Sequence, residues 1–234
     1  MKIALIGYGQ MGKTIEQVAL KRGHTVGAIF GKEGINTEQL AKCDVAIEFS
    51  KPEVAFNNIS SALQAKVPVI CGTTGWLAHY EKAVQLTEQT NSAFLYASNF
   101  SLGVNIFFEI NKQLARIMDG QGQYDVAMQE IHHTKKLDAP SGTAITLAEQ
   151  IIENVARKTD WSLEGATEKS IEIEAIREPN VPGTHSITYQ SEIDTIEIKH
   201  TAHNRQGFAL GAVLAAEFLH SKKGVYTMRD VLNF

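Results

Sequence analysis

An apolar run, Lys2-Ile3-Ala4-Leu5-Ile6, passes directly into Gly7-Tyr8-Gly9-Gln10-Met11-Gly12, and residues 14–21 then repeat apolar positions at helical spacing through Ile15, Val18 and Ala19. Strand, glycine turn and helix, in that order at the start of a chain, restrict the fold more than any other feature of this sequence. A GxGxxG motif alone carries little information; its placement between a strand and a helix makes it specific. Gly7 permits the tight turn, Gly9 lets backbone approach a pyrophosphate, and Gly12 lets the helix pack closely on the strand. Unpaired N–H groups at the helix start then face phosphate. Gly7, Tyr8, Gly9, Gln10, Met11 and Gly12 are therefore the first candidate cofactor contacts.

The alternation continues, with strands predicted at 25–30, 45–49, 67–71 and 93–96 and helices at 53–63 and 79–90. Strands separated by helices of this length imply a Rossmann-type parallel sheet, doubly wound by right-handed crossovers. Ligands of such sheets lie beyond the carboxyl ends of the strands. Besides the glycine loop, Gly72-Thr73-Thr74-Gly75 and Ala97-Ser98-Asn99-Phe100 occupy such ends. One position departs from the usual fingerprint. An NAD-specific fold places Asp or Glu after the second strand to grip the ribose 2′-hydroxyl, whereas this chain has Phe30-Gly31-Lys32-Glu33. Lys32 admits two readings, a point charge for the 2′-phosphate of NADP or a solvated turn lysine.

The pattern changes near residue 103. A helix is predicted at 104–117, a strand-like run at 124–128 and a helix at 141–155; segments 170–176, 186–190 and 194–200 then alternate at period two. Helices followed by consecutive strands suggest an α+β domain with a mainly antiparallel sheet. Residues 160–169 read as a polar connection, and the alanine-rich helix at 208–220 is expected to pack back on the first domain. The predicted organisation is a dinucleotide-binding domain at 1–101 and 207–234, with a substrate-binding and oligomerisation domain at 102–206.

The chemistry concentrates in the segment Glu130-Ile131-His132-His133-Thr134-Lys135-Lys136-Leu137-Asp138-Ala139-Pro140-Ser141-Gly142-Thr143-Ala144. Two imidazoles, two ammonium groups and a helix N-terminus suit an anion, a carboxylate above all. The imidazoles add groups that move protons near neutral pH.

A net charge of -4 argues against a nucleic-acid partner. The 2 cysteines, Cys43 and Cys71, lack metal-ligand spacing and support neither a disulfide framework nor a zinc site. No apolar segment is long enough for a bilayer span or for a signal peptide, so the cytoplasm is the expected compartment.

The glycine motif, Gly72 to Trp76, Ala97 to Asn105 and Glu130 to Ala144, with Gly183-Thr184-His185, His200 to Arg205 and Phe208 to Ala212, together resemble the 4-hydroxy-tetrahydrodipicolinate (formerly dihydrodipicolinate) reductase family in order and approximate spacing. The resemblance implies reduction of a cyclic dicarboxylate intermediate of the diaminopimelate route to lysine, with NADPH or NADH. It assigns His132 as proton donor or acceptor, Lys136 as a second donor, and His133 as a substrate contact. The N-terminus at Ser141, Gly142 and Thr143 would hold a substrate carboxylate, while Gly72, Thr73, Thr74, Ala97, Ser98, Asn99 and Phe100 would contact the nicotinamide side of the cofactor. It also implies a homotetramer joined through the second-domain sheet. Pro179 stands where relatives tend to carry glycine and Leu210 where they often carry asparagine, which leaves open what the loop before His185 contributes. Two other readings compete: a related two-domain dehydrogenase for another small anionic substrate, and a non-catalytic dinucleotide sensor. Neither requires the His132-to-Thr143 cluster.

Overall fold

The structure, a computed structural model, describes residues 1–234. The chain divides into two units, Met1–Leu102 with Arg205–Phe234, and Gly103–Asn204.

The first unit begins β1 (Lys2–Ile6), α1 (Gln10–Lys21), β2 (Thr25–Phe30), α2 (Thr37–Leu40) and β3 (Val45–Glu48). It continues with α3 (Pro52–Gln64), β4 (Val69–Cys71), α4 (Tyr80–Thr90) and β5 (Ala93–Tyr96). Successive β1 side chains enter opposite layers, Ile3 and Leu5 joining one core cluster and Ala4 and Ile6 the other. A sheet covered on both faces needs such continuous apolar strands, and β3 and β4 are buried along their whole length. Each fully buried Leu or Ile contributes about 1.5–3 kcal/mol.

The second unit runs through α5 (Leu102–Asp119), β6 (Asp125–His132), α6 (Gly142–Ile152), β7 (Asp160–Ser162), β8 (Ser170–Arg177), β9 (Gly183–Gln190) and β10 (Thr195–Ala202). The chain then returns to the first unit as α7 (Gln206–Leu219), β11 (Gly224–Tyr226) and α8 (Met228–Leu232). The completed first sheet is parallel in the order β11-β5-β4-β3-β1-β2. Ala209, Ala212, Val213 and Ala216 of α7 join the cluster that holds Ile3 and Leu5, as expected for this helix.

The α+β architecture of the second unit is present, and its sheet, β10-β9-β6-β8-β7, is mixed with the longer ladders antiparallel. The ladders β10–β9 and β9–β6 are antiparallel, whereas β6–β8 and β8–β7 are parallel. The reason lies in the connections. A parallel pair needs a crossover, and α6 supplies it between β6 and β8. The predicted connection at 160–169 contains β7, a strand of only 3 residues. On α6, Ala144, Leu147, Ala148 and Ile151 recur at helical spacing and bury against Val126, Met128, Ile173, Ile187 and Tyr189 of the sheet. Asn111, buried on α5, ties the two helices by donating to the Leu147 carbonyl at 3.0 Å and to Gln150 Oε1 at 3.0 Å.

Candidate active site

In the first unit the glycine loop has the geometry its residues suggest. Gly7 has φ +91°, donates to the Phe30 carbonyl at 2.9 Å, and lies so close to the Phe49 carbonyl that any Cβ would collide. Gly9 is the N-cap of α1, with no side-chain cap and no acid in the first helical turn, and a Cβ there would meet nothing within 4 Å. Free helix N–H groups beside open space fit a pyrophosphate. Tyr8 turns its hydroxyl to Glu16. Lys32 is exposed in the turn after β2.

The other two loops are more selective than their sequences suggest. Glu48, fully buried at the end of β3, accepts from Thr73 Oγ1 at 2.7 Å, Asn58 Nδ2 at 3.2 Å, Cys71 Sγ at 3.2 Å and the Ser50 hydroxyl. Thr73 Oγ1 in turn accepts from the Ser50 N–H at 2.8 Å. The Thr73 side chain is therefore spent on the loop's own structure, and of the two threonines Thr74 is the exposed one. Phe100 is also buried, in the core cluster with Phe49 against it at 5.6 Å, and only its backbone can serve a ligand. Ser98 is exposed and Asn99 half-buried, with Asn99 Oδ1 taking the Ser101 N–H at 2.8 Å.

In the second unit, strand periodicity assembles the polar site. The run predicted to stop at residue 128 continues as β6 to His132, so Glu130 and His132 lie two apart on one sheet face. Across the ladders, Glu130 is level with His185 of β9, His185 with His200 of β10, and His132 with Arg177 of β8. These residues form the polar end of the face whose other end packs under α5 and α6. A buried carboxylate requires partners, and Glu130 has them. Its Oε2 accepts the Ser141 N–H at 3.0 Å, and its Oε1 pairs with Arg177 at 3.1 Å. His132 Nδ1 lies 3.4 Å from Glu130 Oε2 but is too poorly aligned for a hydrogen bond.

Ser141 is the N-cap of α6, its Oγ accepting from the Ala144 N–H at 3.2 Å and lying 3.1 Å from His185 Nε2. With Ser141 as donor, His185 is the neutral imidazole; burial first, then the neighbouring His132, push its pKa down to about 4. Burial also lowers the His132 pKa, against the pull of Glu130, with Lys136 and Arg177 adding to the fall. For Glu130 burial raises the carboxyl, but the Ser141 donors, His132 and Arg177 together hold it below its usual range.

Lys136 sits in the turn after β6, its N–H bonded to the His133 carbonyl at 3.0 Å and its Nζ held by both Asp138 oxygens at 2.9 and 2.7 Å. Arg177 reaches the same loop, donating to the Asp138 carbonyl at 2.7 Å. His133 is half-buried with its Nδ1 unpartnered, outside the Glu130 network. Gly142 is exposed and Thr143 half-buried in the first turn of α6. Ligand atoms of Glu130, His132 and His185 lie within 4.8 Å of one another, a spacing open to a metal ion. Both Glu130 oxygens already receive N–H donors, one from a guanidinium, so the three residues form a polar cluster organised by Ser141 and Arg177. The roles of Glu130, Arg177 and His185 are not visible in the sequence motifs. The available signal was an acid two residues before a histidine in an alternating strand.

Residues 1–100 match the protein-family model "Dihydrodipicolinate reductase, N-terminus" and residues 103–232 the model "Dihydrodipicolinate reductase, C-terminus". A 4-hydroxy-tetrahydrodipicolinate reductase of Christiangramia forsetii is 54% identical, covering 100% of this chain and 98% of the relative. Another, of Bdellovibrio bacteriovorus, is 38% identical over 99% of this chain and 96% of its own. Among solved structures, a dipicolinate-bound dihydrodipicolinate reductase from Paenisporosarcina sp. TG-14 has the same fold, with TM-score 0.76 at 22% identity and 97% coverage of each chain. With both halves of the chain matched and relatives similar from end to end, this chain belongs to the dihydrodipicolinate reductase family.

Proposed function

We propose that this chain reduces 4-hydroxy-tetrahydrodipicolinate to tetrahydrodipicolinate with NADH or NADPH, the 4-hydroxyl leaving as water before the conjugated ring takes up a hydride and a proton, in the diaminopimelate route of lysine biosynthesis. The full-length similarity to a reductase of that name carries the assignment, and the His132–Lys136–α6 cluster supplies a chemical reason for it. The first unit takes the cofactor: the Gly7–Gly12 turn and the free N–H groups of α1 receive the pyrophosphate, and Thr74, Ser98 and nearby backbone take the nicotinamide side. When bound, NAD(P)H supplies the hydride.

The second unit takes the dicarboxylate. Gly142 and Thr143 present N–H groups at the α6 N-terminus, where the helix dipole favours a carboxylate. Lys136 supplies positive charge on a mobile stem, and His133 offers an unpartnered ring nitrogen. His132 delivers the proton to the carbon next to the one reduced, or relays it with Lys136. A dianionic ligand beside His132 raises the pKa that burial has lowered and prepares the imidazolium for that role.

For assembly, the reading is a homotetramer. The face of the second sheet opposite α5 and α6 carries Ala127 and Gln129 level with Thr188 and Ser186, flanked by Glu172 and Glu174 on β8 and by Glu197 and Lys199 on β10, so a subunit contact there would be made largely by polar and charged groups. The cytoplasm is the matching compartment, and no helix is long and apolar enough to cross a membrane. The test is a coupled assay with enzymatically generated substrate, following nicotinamide absorbance with each cofactor. Substrate-dependent oxidation is expected, and its absence with both cofactors would refute the reading. Light scattering of the purified protein tests the tetramer.

A further inference from the structure

The α6 N-terminus, the Lys136 loop and His132 all converge on one side chain. Glu130 holds the α6 N-cap through the Ser141 N–H at 3.0 Å. Through Arg177 at 3.1 Å, and from Arg177 to the Asp138 carbonyl at 2.7 Å, it fixes the loop that carries Lys136. Its Oε2 is 3.4 Å from His132 Nδ1 and 3.7 Å from His185 Nε2. A carboxylate fully shielded from solvent amid an apolar sheet is costly unless its partners require it. Nothing in the packing demands an acid here, since the neighbouring inward positions Val126 and Met128 on the same strand are apolar.

We infer that Glu130, with Arg177 as its counter-charge, is the positioning residue of this reductase, setting both the geometry of the α6 N-terminus and the proton affinity of His132. The inference rests on the reductase reading above. Neither residue is assigned contact with the reacting atoms; both act through His132, the Lys136 loop and Ser141.

The charged and titratable groups facing His132 are Glu130 on its own strand, Arg177 on β8, His185 on β9, and Lys136 and Asp138 in the loop, with His200 beyond His185. Among them Glu130 and Arg177 act on His132 with opposite sign, the carboxylate favouring the imidazolium and the guanidinium opposing it. Neutral replacements should therefore move His132 in opposite directions. Glu130→Gln removes the anion and lowers the His132 pKa; Arg177→Gln removes the cation and raises it.

The experiment is a histidine NMR titration of the purified full-length wild type, Glu130→Gln and Arg177→Gln, paired with pH profiles of kcat. The expected result is a His132 midpoint below wild type in the first variant and above it in the second. The alkaline limb of kcat should follow in the same sense, and kcat should fall roughly 10- to 100-fold in both, as for ~1 Å misplacement of a reacting group. A general loss of structure would shift both variants the same way, so shifts of one sign, or none, would overturn the inference. If Glu130→Gln does not fold, Arg177→Gln with an unmoved or lowered His132 midpoint would still do so. The titration needs no substrate: a wild type inactive on the proposed substrate counts against the reductase reading, whereas opposed midpoints uphold the positioning pair.

Discussion

Gly183 on β9 lies against the imidazole of His132, where an added Cβ would sit 3.1 Å from Nε2 and 3.3 Å from Cδ2. The strand thus leaves one side of the ring clear, and the ring occupies the space. In Gly183→Ala the imidazole or the strand must shift by a few tenths of an ångström. The expected outcome is a stable protein, destabilised by about 1–3 kcal/mol as overpacked sites are, with kcat reduced roughly 10-fold or more because small displacements of a reacting group are costly. Unfolding and steady-state assays on the same preparation check this. A variant with wild-type kcat would show that His132 has latitude the proposed role does not allow.

Lys136 owes its place to Asp138, which chelates it with both oxygens while remaining largely exposed. Lys136→Ala should lower kcat by about 10²–10⁴-fold, the usual range for a lost general acid. Asp138→Asn keeps the lysine but loosens it, and should cost less. Its effect on stability should be below about 1 kcal/mol, since exposed ion pairs contribute little. If Lys136→Ala turns over normally, the ammonium group is not a proton donor.

The pH dependence of stability follows first from His185, with His132 and His200, also lowered by burial, acting in the same direction. Its folded pKa of about 4 lies below the ordinary 6.5, so the unfolded chain binds the proton more readily. Stability from keeping the ring neutral is complete above pH 6.5 and is lost as pH falls towards 4. Over that window the loss is roughly 3 kcal/mol at 1.36 kcal/mol per unit. Glu130, its pKa lowered by its partners, adds a loss of the same sign at lower pH. Urea unfolding at pH 7 and pH 4.5 should show the decline, and His185→Gln should flatten it. An equal decline in both proteins would mean that His185 is not the buried base.

How much of this was legible in the sequence depended on how local each signal was. The glycine turn between β1 and α1 is legible because its strand, turn and helix are contiguous, and Ser141 is visible as a helix start for the same reason. Glu130, Arg177 and His185 take their meaning from ladder register, since residues 45 positions or more apart become neighbours only when β6, β8 and β9 pair. Thr73 and Phe100 match ligand-loop motifs, yet their side chains are turned inward by Glu48 and by the Phe49 ring, partners that motif spacing does not reveal. The strands β7 and β11, with 3 residues each, are too short to show a period of two. In the second sheet the succession of β8, β9 and β10 points to antiparallel pairing, and both ladders of β9 are antiparallel. That order conceals the partnership of β8 with β6 and β7.

The glycines of the first loop differ in what they tolerate, and the difference separates fold from ligand binding. A side chain at Gly7 meets backbone at a positive φ and should destabilise the protein. Gly9→Asp meets nothing within 4 Å and should leave the melting temperature near wild type. It would place a negative charge at the uncapped α1 N-terminus, where phosphate is expected, and should raise the KM for both cofactors by about 10-fold or more, as lost charge-assisted bonds of ~1.5–3 kcal/mol imply. A Gly9→Asp protein with unaltered cofactor KM would mean that the phosphates do not sit on this helix.

Cofactor preference turns on Lys32. The turn after β2 supplies Gly31 and Lys32 where an acid would grip the ribose of NADH, and the lysine is exposed. An ammonium group pairs with a 2′-phosphate as a point charge, worth about 0.2–1 kcal/mol at an exposed site. Lys32→Ala should therefore raise the KM for NADPH by roughly 2- to 5-fold and leave that for NADH unchanged, with the NADPH effect shrinking at high salt because exposed pairs are screened. Steady-state kinetics with both cofactors at two ionic strengths distinguish the alternatives. Equal changes for NADH and NADPH would make Lys32 a solvated turn residue, and a strong NADH preference in the wild type would remove the 2′-phosphate from the account altogether.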